Sequence, residues 1–166
     1  MRPERRDKSI YERAMESFAR SPVGTWYLKR IAPRIDPSLL RLTGGRVSSL
    51  YPKPVMLLTT TGAKSGQPRS LPLGYVTDGD RLILIASSYG STSHPAWYRN
   101  VVANPKVEVL AGKRSGSYVA SEITDPDERE QAWTLVLDLY AGYADYEDRA
   151  GDRMIPLIKL ERESSR

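Results

Sequence analysis

The pattern of hydrophobic and polar positions after residue 50 predicts six short strands. Their residues are β-branched and aliphatic or alternate between apolar and polar, and Gly, Pro and Asp mark the turns between them. The predicted strands span residues 55–61, 69–77, 81–86, 106–110, 117–124 and 153–160. Pro68 and Pro72 confine the second strand to a sheet edge or a bulge, because proline has no N–H to donate to a neighbouring strand.

Helical periodicity appears before, between and after these strands. Residues 1–45 are basic and amphipathic, and their apolar positions recur at the spacing of helix faces. Those positions are Ile10, Tyr11, Ala14, Met15 and Phe18, and then Val23, Trp26, Tyr27 and Ile31 after Pro22. Residues 95–103 predict a short helix, and Asp125, Pro126 and Glu128 predict the capped start of a longer helix.

This order of elements predicts an α+β fold that is mainly β. Short, mostly antiparallel strands with helices at the ends indicate a small β-barrel of about six antiparallel strands, with N-terminal helices and a capping helix. We expect two parts, a basic amphipathic helical segment at residues 1–45 and a barrel domain at residues 46–166. The chain has no GxGxxG sequence and nothing that resembles a Rossmann βαβ unit, which disfavours a dinucleotide oxidoreductase of that kind.

The composition excludes several kinds of chemistry. The 166 residues contain no cysteine and one histidine, His94. Thiol nucleophiles and thiolate sites are therefore absent, histidine-based metal sites and a Ser-His-Asp triad are poorly supported, and no metal site is expected. A structural role is favoured for His94, because no second titratable partner lies near it in the sequence. The lack of cysteine suits the cytoplasm, and no apolar run approaches the length of a membrane span.

The positive charge is concentrated at the N-terminus. Residues 1–50 contain 11 Lys or Arg and 5 Asp or Glu, a net charge of +6, whereas residues 51–166 have a net charge of −1. A cationic amphipathic segment with Trp and Phe suits peripheral contact with an anionic membrane, on the inner face of the cell membrane. Packing of its apolar stripe on the barrel is an equal alternative. No nucleic-acid partner is expected, because acidic residues interrupt the basic ones.

The turn after the first strand carries groups that bind anions. Its two glycines offer backbone N–H groups, and Lys64 and Ser65 add an ammonium and a hydroxyl. Arg69 follows, and its guanidinium can fork onto a carboxylate or a phosphate. A serine-rich loop at residues 87–93 adds hydroxyl donors before a helix N-terminus. Two polar surface turns with scattered charges would have the same composition, and local composition alone favours that interpretation, because short isolated motifs often mislead.

Two motifs resemble a known family. The sequence TTTGAKSGQPR at residues 59–69, followed by IASSYGSTSHPAWYRNVVANPKVEV at residues 85–109, is similar to the deazaflavin-dependent nitroreductase family of actinobacteria. The likeness covers residues 33–160, and two motifs in this order are more specific than either alone. It implies a split β-barrel that uses coenzyme F420, an 8-hydroxy-5-deazaflavin whose reduced form donates a hydride from ring carbon C5.

The resemblance also implies which residues hold this cofactor. Lys64 and Arg69 would bind its phosphate and carboxylates, residues 70–74 and 85–88 would line its ring and ribityl chain, and residues 96–98 would close the far side. The implied cofactor-binding residues are Ala63, Lys64, Ser65, Arg69, Ser70, Leu71, Leu73, Gly74, Ile85, Ala86, Ser87, Ser88, Ala96, Trp97, Tyr98 and Asn100.

Three tyrosines spaced by three residues, Tyr140, Tyr143 and Tyr146, are the implied wall of the substrate pocket. Phenols there can stack on a planar substrate and donate a hydrogen bond to a developing anion. Without the resemblance, an aromatic cluster covering the barrel mouth is the simpler interpretation. No residue is required as a catalytic acid, and Tyr143 and Ser87 are the candidates for that role.

Two positions depart from the family pattern. Many members carry a lysine where Ser88 or Tyr89 stands here, so one cation of the anionic tail site is lost and tail affinity or preferred tail length changes. Some members have a bulky residue near Gly74 that faces the substrate. The glycine therefore suggests a wider pocket in this chain.

The implied activity is that of an F420-dependent oxidoreductase, which transfers a hydride to a small-molecule acceptor such as a quinone, a nitro compound or an activated alkene. The alternatives are a flavin-mononucleotide oxidoreductase of similar barrel type and a non-catalytic protein that binds a cofactor or a lipid-like ligand. The sequence leaves the physiological acceptor and the oligomeric state open, with a homodimer among the expectations.

Overall fold

The computed structural model describes residues 21–49 and 53–163, together with positions 10, 14, 17 and 18. The described residues form five helices, and the expected element order is found with one helix added. The helices are α1 (Pro22–Arg30), α2 (Ala32–Leu42), α3 (Ala96–Ala103), α4 (Pro126–Leu139) and α5 (Gly142–Ala150). The strands are β1 (Val55–Thr61), β2 (Pro68–Asp78), β3 (Arg81–Ile85), β4 (Lys106–Leu110), β5 (Gly116–Glu122) and β6 (Leu157–Arg162). Short 3-10 turns occupy Ser88–Gly90 and Gly112–Arg114.

The strands close into one antiparallel barrel in the order β1-β2-β3-β6-β5-β4, which confirms the predicted fold class. Strand β2 changes partner along its length: residues 68–74 pair with β1, and residues 75–78 pair with β3. Within the described part of the chain, Pro68 and Pro72 therefore lie in the half of β2 that has one strand neighbour, as expected for residues without an N–H. This change of partner opens the barrel wall beside β2.

Two hydrophobic clusters use opposite faces of β3. Leu82 and Leu84 point into the barrel, whereas Ile83 and Ile85 point outward beneath α4 and α5, because successive strand residues face opposite sides. The inner cluster includes Met56, Leu58, Trp97, Val101, Tyr118, Ile158 and Leu160, and the outer cluster includes Val136, Tyr146, Ile155 and Leu157. The outer cluster fixes α5 against the barrel.

Local chemistry sets the ends of the helices. Asp125 accepts the N–H of Glu128 at 2.9 Å and Pro126 occupies the first turn of α4, which confirms the predicted cap. Helix α4 ends at Leu139, and the extended residue Tyr140 separates it from α5, a helix that the hydrophobic pattern did not predict. The predicted last strand begins four residues later than expected, at Leu157, after an irregular stretch that includes Pro156.

The N-terminal helices differ in their surroundings. Leu40 of α2 is fully buried against Val55 and Leu57 of β1. Burial of such a side chain stabilises the fold by about 1.5–3 kcal/mol. On α1, Val23 and Trp26 are exposed. Packing on the barrel, one of the two expected roles, thus applies to α2. Ile10 and Phe18 are also exposed, whereas Tyr11 and Met15 lie outside the described residues.

Among the residues that the structure describes, no helix has the length and apolar composition required to cross a membrane.

Candidate active site

A cavity of about 430 Å³ opens where β2 leaves β1, and helices α2 and α5 close its sides. Its size lies within the range of about 300–1,000 Å³ that is typical of ligand pockets. Many of the implied site residues meet in its wall: Leu71, Leu73, Gly74, Ile85, Ser87, Ser88, Trp97, Tyr140, Tyr143 and Tyr146. The wall is therefore mainly apolar, with hydroxyl groups on two sides.

The predicted anion-binding turn, residues 62–67 with Arg69 after it, lies apart from the cavity wall. The side chain of Asn100 joins the turn to α3, because its Oδ1 accepts the N–H of Ala63 at 3.0 Å and its Nδ2 donates to the Thr60 hydroxyl at 3.0 Å. Lys64 and Arg69 are exposed on this anchored turn. The turn is therefore a fixed backbone with two exposed cations.

The remaining implied residues also lie outside the wall. The Ser65 hydroxyl accepts the N–H of Gln67 at 3.3 Å, and the Ser70 hydroxyl lies 2.8 Å from that of Thr59. Ala86 is buried in the barrel core, and Ala96 is exposed at the start of α3.

Tyr98, the last of the residues outside the wall, has a hydroxyl that donates to Glu122 at 2.8 Å. Burial, followed by this hydrogen bond to the carboxylate, raises the pKa of Tyr98 to about 12. The ring of His94 lies 4.8 Å from the ring of Tyr98, centre to centre. These two side chains support α3 from outside the cavity.

The tyrosines form one cluster at the junction of α4 and α5. Ring centres lie 5.5 Å apart for Tyr140 and Tyr143, 5.7 Å for Tyr143 and Tyr146, and 6.2 Å for Tyr140 and Tyr146. Tyr89 joins them, at 6.0 Å from Tyr146. Steep angles between most of these ring planes are the edge-to-face arrangement that aromatic pairs favour.

The environment keeps these phenols protonated. Burial raises the pKa of Tyr143 and Tyr146 well above the ordinary value of a tyrosine, and the neighbouring phenols raise it further. Burial also raises the pKa of Tyr89. At neutral pH Tyr89, Tyr143 and Tyr146 therefore offer protonated hydroxyl groups that can donate hydrogen bonds, and none of these three is a phenolate base.

The serine-rich loop reaches the cavity through an unusual backbone. Ser88 and Tyr89 have positive φ angles of 50° and 55°, and Gly90 follows at 76°. Left-handed residues other than glycine are uncommon and cost conformational energy, and they recur at functional sites. The loop places Ser87, Ser88 and Tyr89 in the cavity wall.

Several wall residues on the N-terminal side were not predicted from the motifs, and Asp36, Lys53 and Pro33 are three of them. Asp36 of α2 is 0% exposed, and its Oδ1 accepts the N–H of Ser49 at 2.7 Å, while its Oδ2 has no hydrogen-bond partner among the described residues. Lys53 donates to the carbonyl of Leu139 at the end of α4. Pro33 adds apolar surface to the same wall. Asp36 and Lys53 add a carboxyl and an amino group to a cavity wall that is otherwise mainly apolar.

The residues present fit a deazaflavin. An apolar slot lined by Leu71, Leu73 and Trp97 suits a planar ring system, and a Cβ atom added at Gly74 would meet nothing closer than 3.8 Å. The exposed cations Lys64 and Arg69 suit an anionic tail that extends beyond the slot. Within the described residues, no group of His, Asp and Glu side chains forms a metal site.

The closed barrel and its lateral cavity define a cofactor-binding split β-barrel protein. The family model for F420H(2)-dependent quinone reductase matches residues 32–162, so the chain belongs to that family. The protein of Mycobacterium tuberculosis (strain ATCC 25618 / H37Rv) named F420H(2)-dependent quinone reductase Rv1261c is 37% identical over 134 residues, which cover 78% of this chain and 89% of that protein.

Two solved structures extend the likeness to three dimensions. The F420-H2 dependent reductase FDR-A is 40% identical with a TM-score of 0.58, over 65% of this chain and 94% of that chain. A structure described as a domain-swapped dimer is 36% identical with a TM-score of 0.61, over 75% of this chain and 95% of that chain. Both likenesses agree with the split-barrel fold expected from the motifs.

Proposed function

We propose that this chain catalyses hydride transfer from reduced coenzyme F420 to a quinone. The observation that carries the proposal is the family match over residues 32–162, which includes every residue of the cavity wall. Family membership supports oxidoreductase activity and F420 as the cofactor. The names of the relatives support a quinone as the acceptor class.

The proposed cofactor site has two parts. Lys64 and Arg69 would hold the anionic tail by charge-assisted hydrogen bonds, and Leu71, Leu73 and Trp97 would enclose the ring. When bound and reduced, the deazaflavin supplies a hydride from its ring carbon C5. The role of the protein is then to hold the reacting groups in place and to exclude water from the slot.

The tyrosine cluster is the proposed acceptor wall. Reduction of a quinone places negative charge on its oxygen, and a neutral phenol that donates a hydrogen bond stabilises that charge. Raised pKa values keep the hydroxyl of Tyr143 protonated, which suits this role. Ser87, which is 8% exposed in the opposite loop, is the second candidate for delivering a proton.

The test combines the purified full chain with reduced F420 and menadione, a simple quinone. We expect the visible absorbance of oxidised deazaflavin to appear only when the protein and the quinone are both present. Reduced flavin mononucleotide in the same assay tests the flavin alternative, and binding of F420 without turnover of any quinone would support the non-catalytic alternative.

A membrane contact is the second part of the proposal. Val23 and Trp26 of α1 and Ile35 and Leu42 of α2 are exposed, and the exposed arginines Arg30, Arg34 and Arg41 lie among them. Apolar and cationic side chains together suit an anionic bilayer surface. Because Ala32 and Pro33 of α2 line the cavity, this contact would place the acceptor site beside lipid-soluble quinones. Homodimer formation stays a prediction.

A further inference from the structure

Arg153 holds the serine-rich loop by an unusual set of contacts. Its Nη2 donates to the carbonyl of Ser87 at 2.7 Å, its Nε donates to the carbonyl of Ser91 at 2.8 Å, and its Nη1 donates to the carbonyl of Ala86 at 3.2 Å. The same Nη1 lies 3.4 Å from Nδ1 of His94. One guanidinium thus reaches both ends of the loop from a position about sixty residues later in the sequence.

We propose that Arg153 is a positioning residue, whose guanidinium fixes residues 86–94 in the shape that places Ser87 and Ser88 in the cavity wall. The inference deepens the proposed function and rests on it where cofactor binding is concerned. Neither the motifs nor the family resemblance singled out Arg153, which lies in the irregular stretch before β6.

The loop requires such a contact because its backbone is strained. Ser88 and Tyr89 adopt left-handed conformations that residues other than glycine avoid. The N–H groups of Gly90 and Ser91 donate to the carbonyls of Ser87 and Ser88, both at 3.0 Å. These bonds close the turn, but they do not attach it to the barrel.

Contacts on two sides attach the serine-rich loop to the rest of the protein. On one side Gly90 packs so closely on α5 that an added Cβ would lie 2.9 Å from the carbonyl oxygen of Tyr146. On the other side Arg153 donates to the three carbonyls. The stretch that carries Arg153 is itself anchored, because Ile155 is fully buried and its carbonyl accepts from Nη2 of Arg129 at 2.9 Å. The loop is thus held between α5 and the residues that follow it.

A guanidinium is needed for this geometry. Arginine presents five N–H groups in a planar fork, whereas lysine presents one ammonium on a flexible stem. A lysine at position 153 would keep the charge, but its compact ammonium would not span the carbonyls of Ala86, Ser87 and Ser91 as the guanidinium does.

The test compares Arg153→Lys and Arg153→Gln with Arg129→Lys in the full-length chain. Arg129 is the matched control, because it donates to the same C-terminal stretch and does not contact the loop. Each protein is measured for the amide hydrogen exchange of residues 87–91, the Kd for oxidised F420, the KM and kcat with menadione, and the Tm.

We expect both Arg153 variants to exchange the loop amides at least tenfold faster than the wild type and to bind F420 at least tenfold more weakly. Arg129→Lys should change the Kd less than threefold, even if its Tm falls as much as the Tm of the Arg153 variants. If the exchange rates and Kd values of the Arg153 variants equal those of Arg129→Lys, Arg153 contributes stability alone and the inference is wrong.

The same measurements distinguish a failure of the proposed function from a failure of the inference about Arg153. A wild-type chain that binds no F420 would overturn the proposed function. The exchange measurement still decides the role of Arg153 in that case. Faster exchange of the loop amides in Arg153→Lys than in Arg129→Lys supports the positioning role, and equal rates overturn it.

Discussion

A Cβ atom added to Gly74 would lie 3.8 Å from the hydroxyl oxygen of Tyr143, across the cavity. That distance is an ordinary van der Waals contact, so a methyl group fits and a larger side chain would enter the space between β2 and α5. The absence of a side chain at position 74 therefore leaves this space open beside Tyr143, and its effect on the width of the acceptor site stays a prediction.

Gly74→Leu should narrow the acceptor site. We expect the KM for a quinone with a bulky ring substituent to rise about tenfold, equivalent to about 1.4 kcal/mol of lost binding, and the KM for an unsubstituted quinone to rise less. Gly74→Ala is the matched control and should leave both values within about twofold of the wild type. An equal effect of Gly74→Leu on both quinones would argue against a role in acceptor width.

Loss of either exposed cation of the anion-binding turn should weaken F420 binding. Lys64→Ala and Arg69→Ala each remove a charge-assisted contact worth about 1.5–3 kcal/mol, so the Kd should rise about tenfold or more. Titration of the protein with the cofactor at two salt concentrations measures this. Lys113→Ala, which removes an exposed cation from the turn between β4 and β5, is the control. Unchanged affinity in both variants would remove the turn from the cofactor site.

Removal of the Tyr143 hydroxyl should lower turnover without loosening the cofactor. Tyr143→Phe keeps the ring and loses one hydrogen-bond donor, so kcat should fall about tenfold with an unchanged Kd for F420. Tyr98→Phe is the control, because that hydroxyl donates to Glu122 outside the cavity. If both variants turn over menadione at the same rate, the phenol of Tyr143 takes no part in the reaction.

The buried phenols should make the fold sensitive to alkali. Burial raises the pKa of Tyr143 and Tyr146 above the ordinary value of about 10 that the unfolded chain has. Below about pH 10 both states keep the proton. Above it the unfolded chain loses protons first, so the free energy of unfolding decreases as pH rises.

Urea unfolding at about pH 9 and about pH 11 measures this dependence. A Tyr143→Phe, Tyr146→Phe double variant should lose less unfolding free energy between the two values than the wild type, because phenylalanine cannot ionise. Equal losses would mean that these phenols do not govern the alkaline transition.

Binding to anionic vesicles should depend on the exposed side chains of α1. A Val23→Ser, Trp26→Ser double variant should co-sediment less than the wild type with vesicles that contain phosphatidylserine, and added salt should weaken both. Val102→Ser, which changes a side chain that is 63% exposed on α3, is the control. Deletion of α2 is unsuitable, because Leu40 packs on β1 and Pro33 lines the cavity. Equal sedimentation of all three proteins would end the membrane proposal.

Much of the fold follows from local sequence. Strand β1 begins and ends at the predicted residues, and Asp125 caps α4 as predicted, because β-branched runs and capping side chains act over a few residues. The pattern of hydrophobic positions did not predict helix α5, which begins after a local break in the chain. Gly142 lies so close to the ring of Tyr140 that an added Cβ would be 2.3 Å from it, and the chain turns there.

The residues of the candidate site also fall into those that local sequence indicated and those that it did not. Two motifs indicated the anion-binding turn and the serine-rich loop, because each is a short stretch with its own chemistry. The three tyrosines were indicated by their spacing together with the family resemblance. Asp36, Lys53 and Arg153 were not indicated, since each acts through groups on other elements. The contacts of these three side chains form only in the tertiary structure, when distant elements pack together.

The sequence by itself determined the barrel strands, since these depend on neighbours along the chain, and its two motifs indicated the cofactor class through the family resemblance. The roles of the turn and of the tyrosines stay predictions. Only the tertiary structure decided where the cavity lies, because β2 changes partner from β1 to β3 at Tyr75. It also decided which carbonyls Arg153 meets. Contacts between residues sixty positions apart depend on barrel closure, which local patterns do not specify.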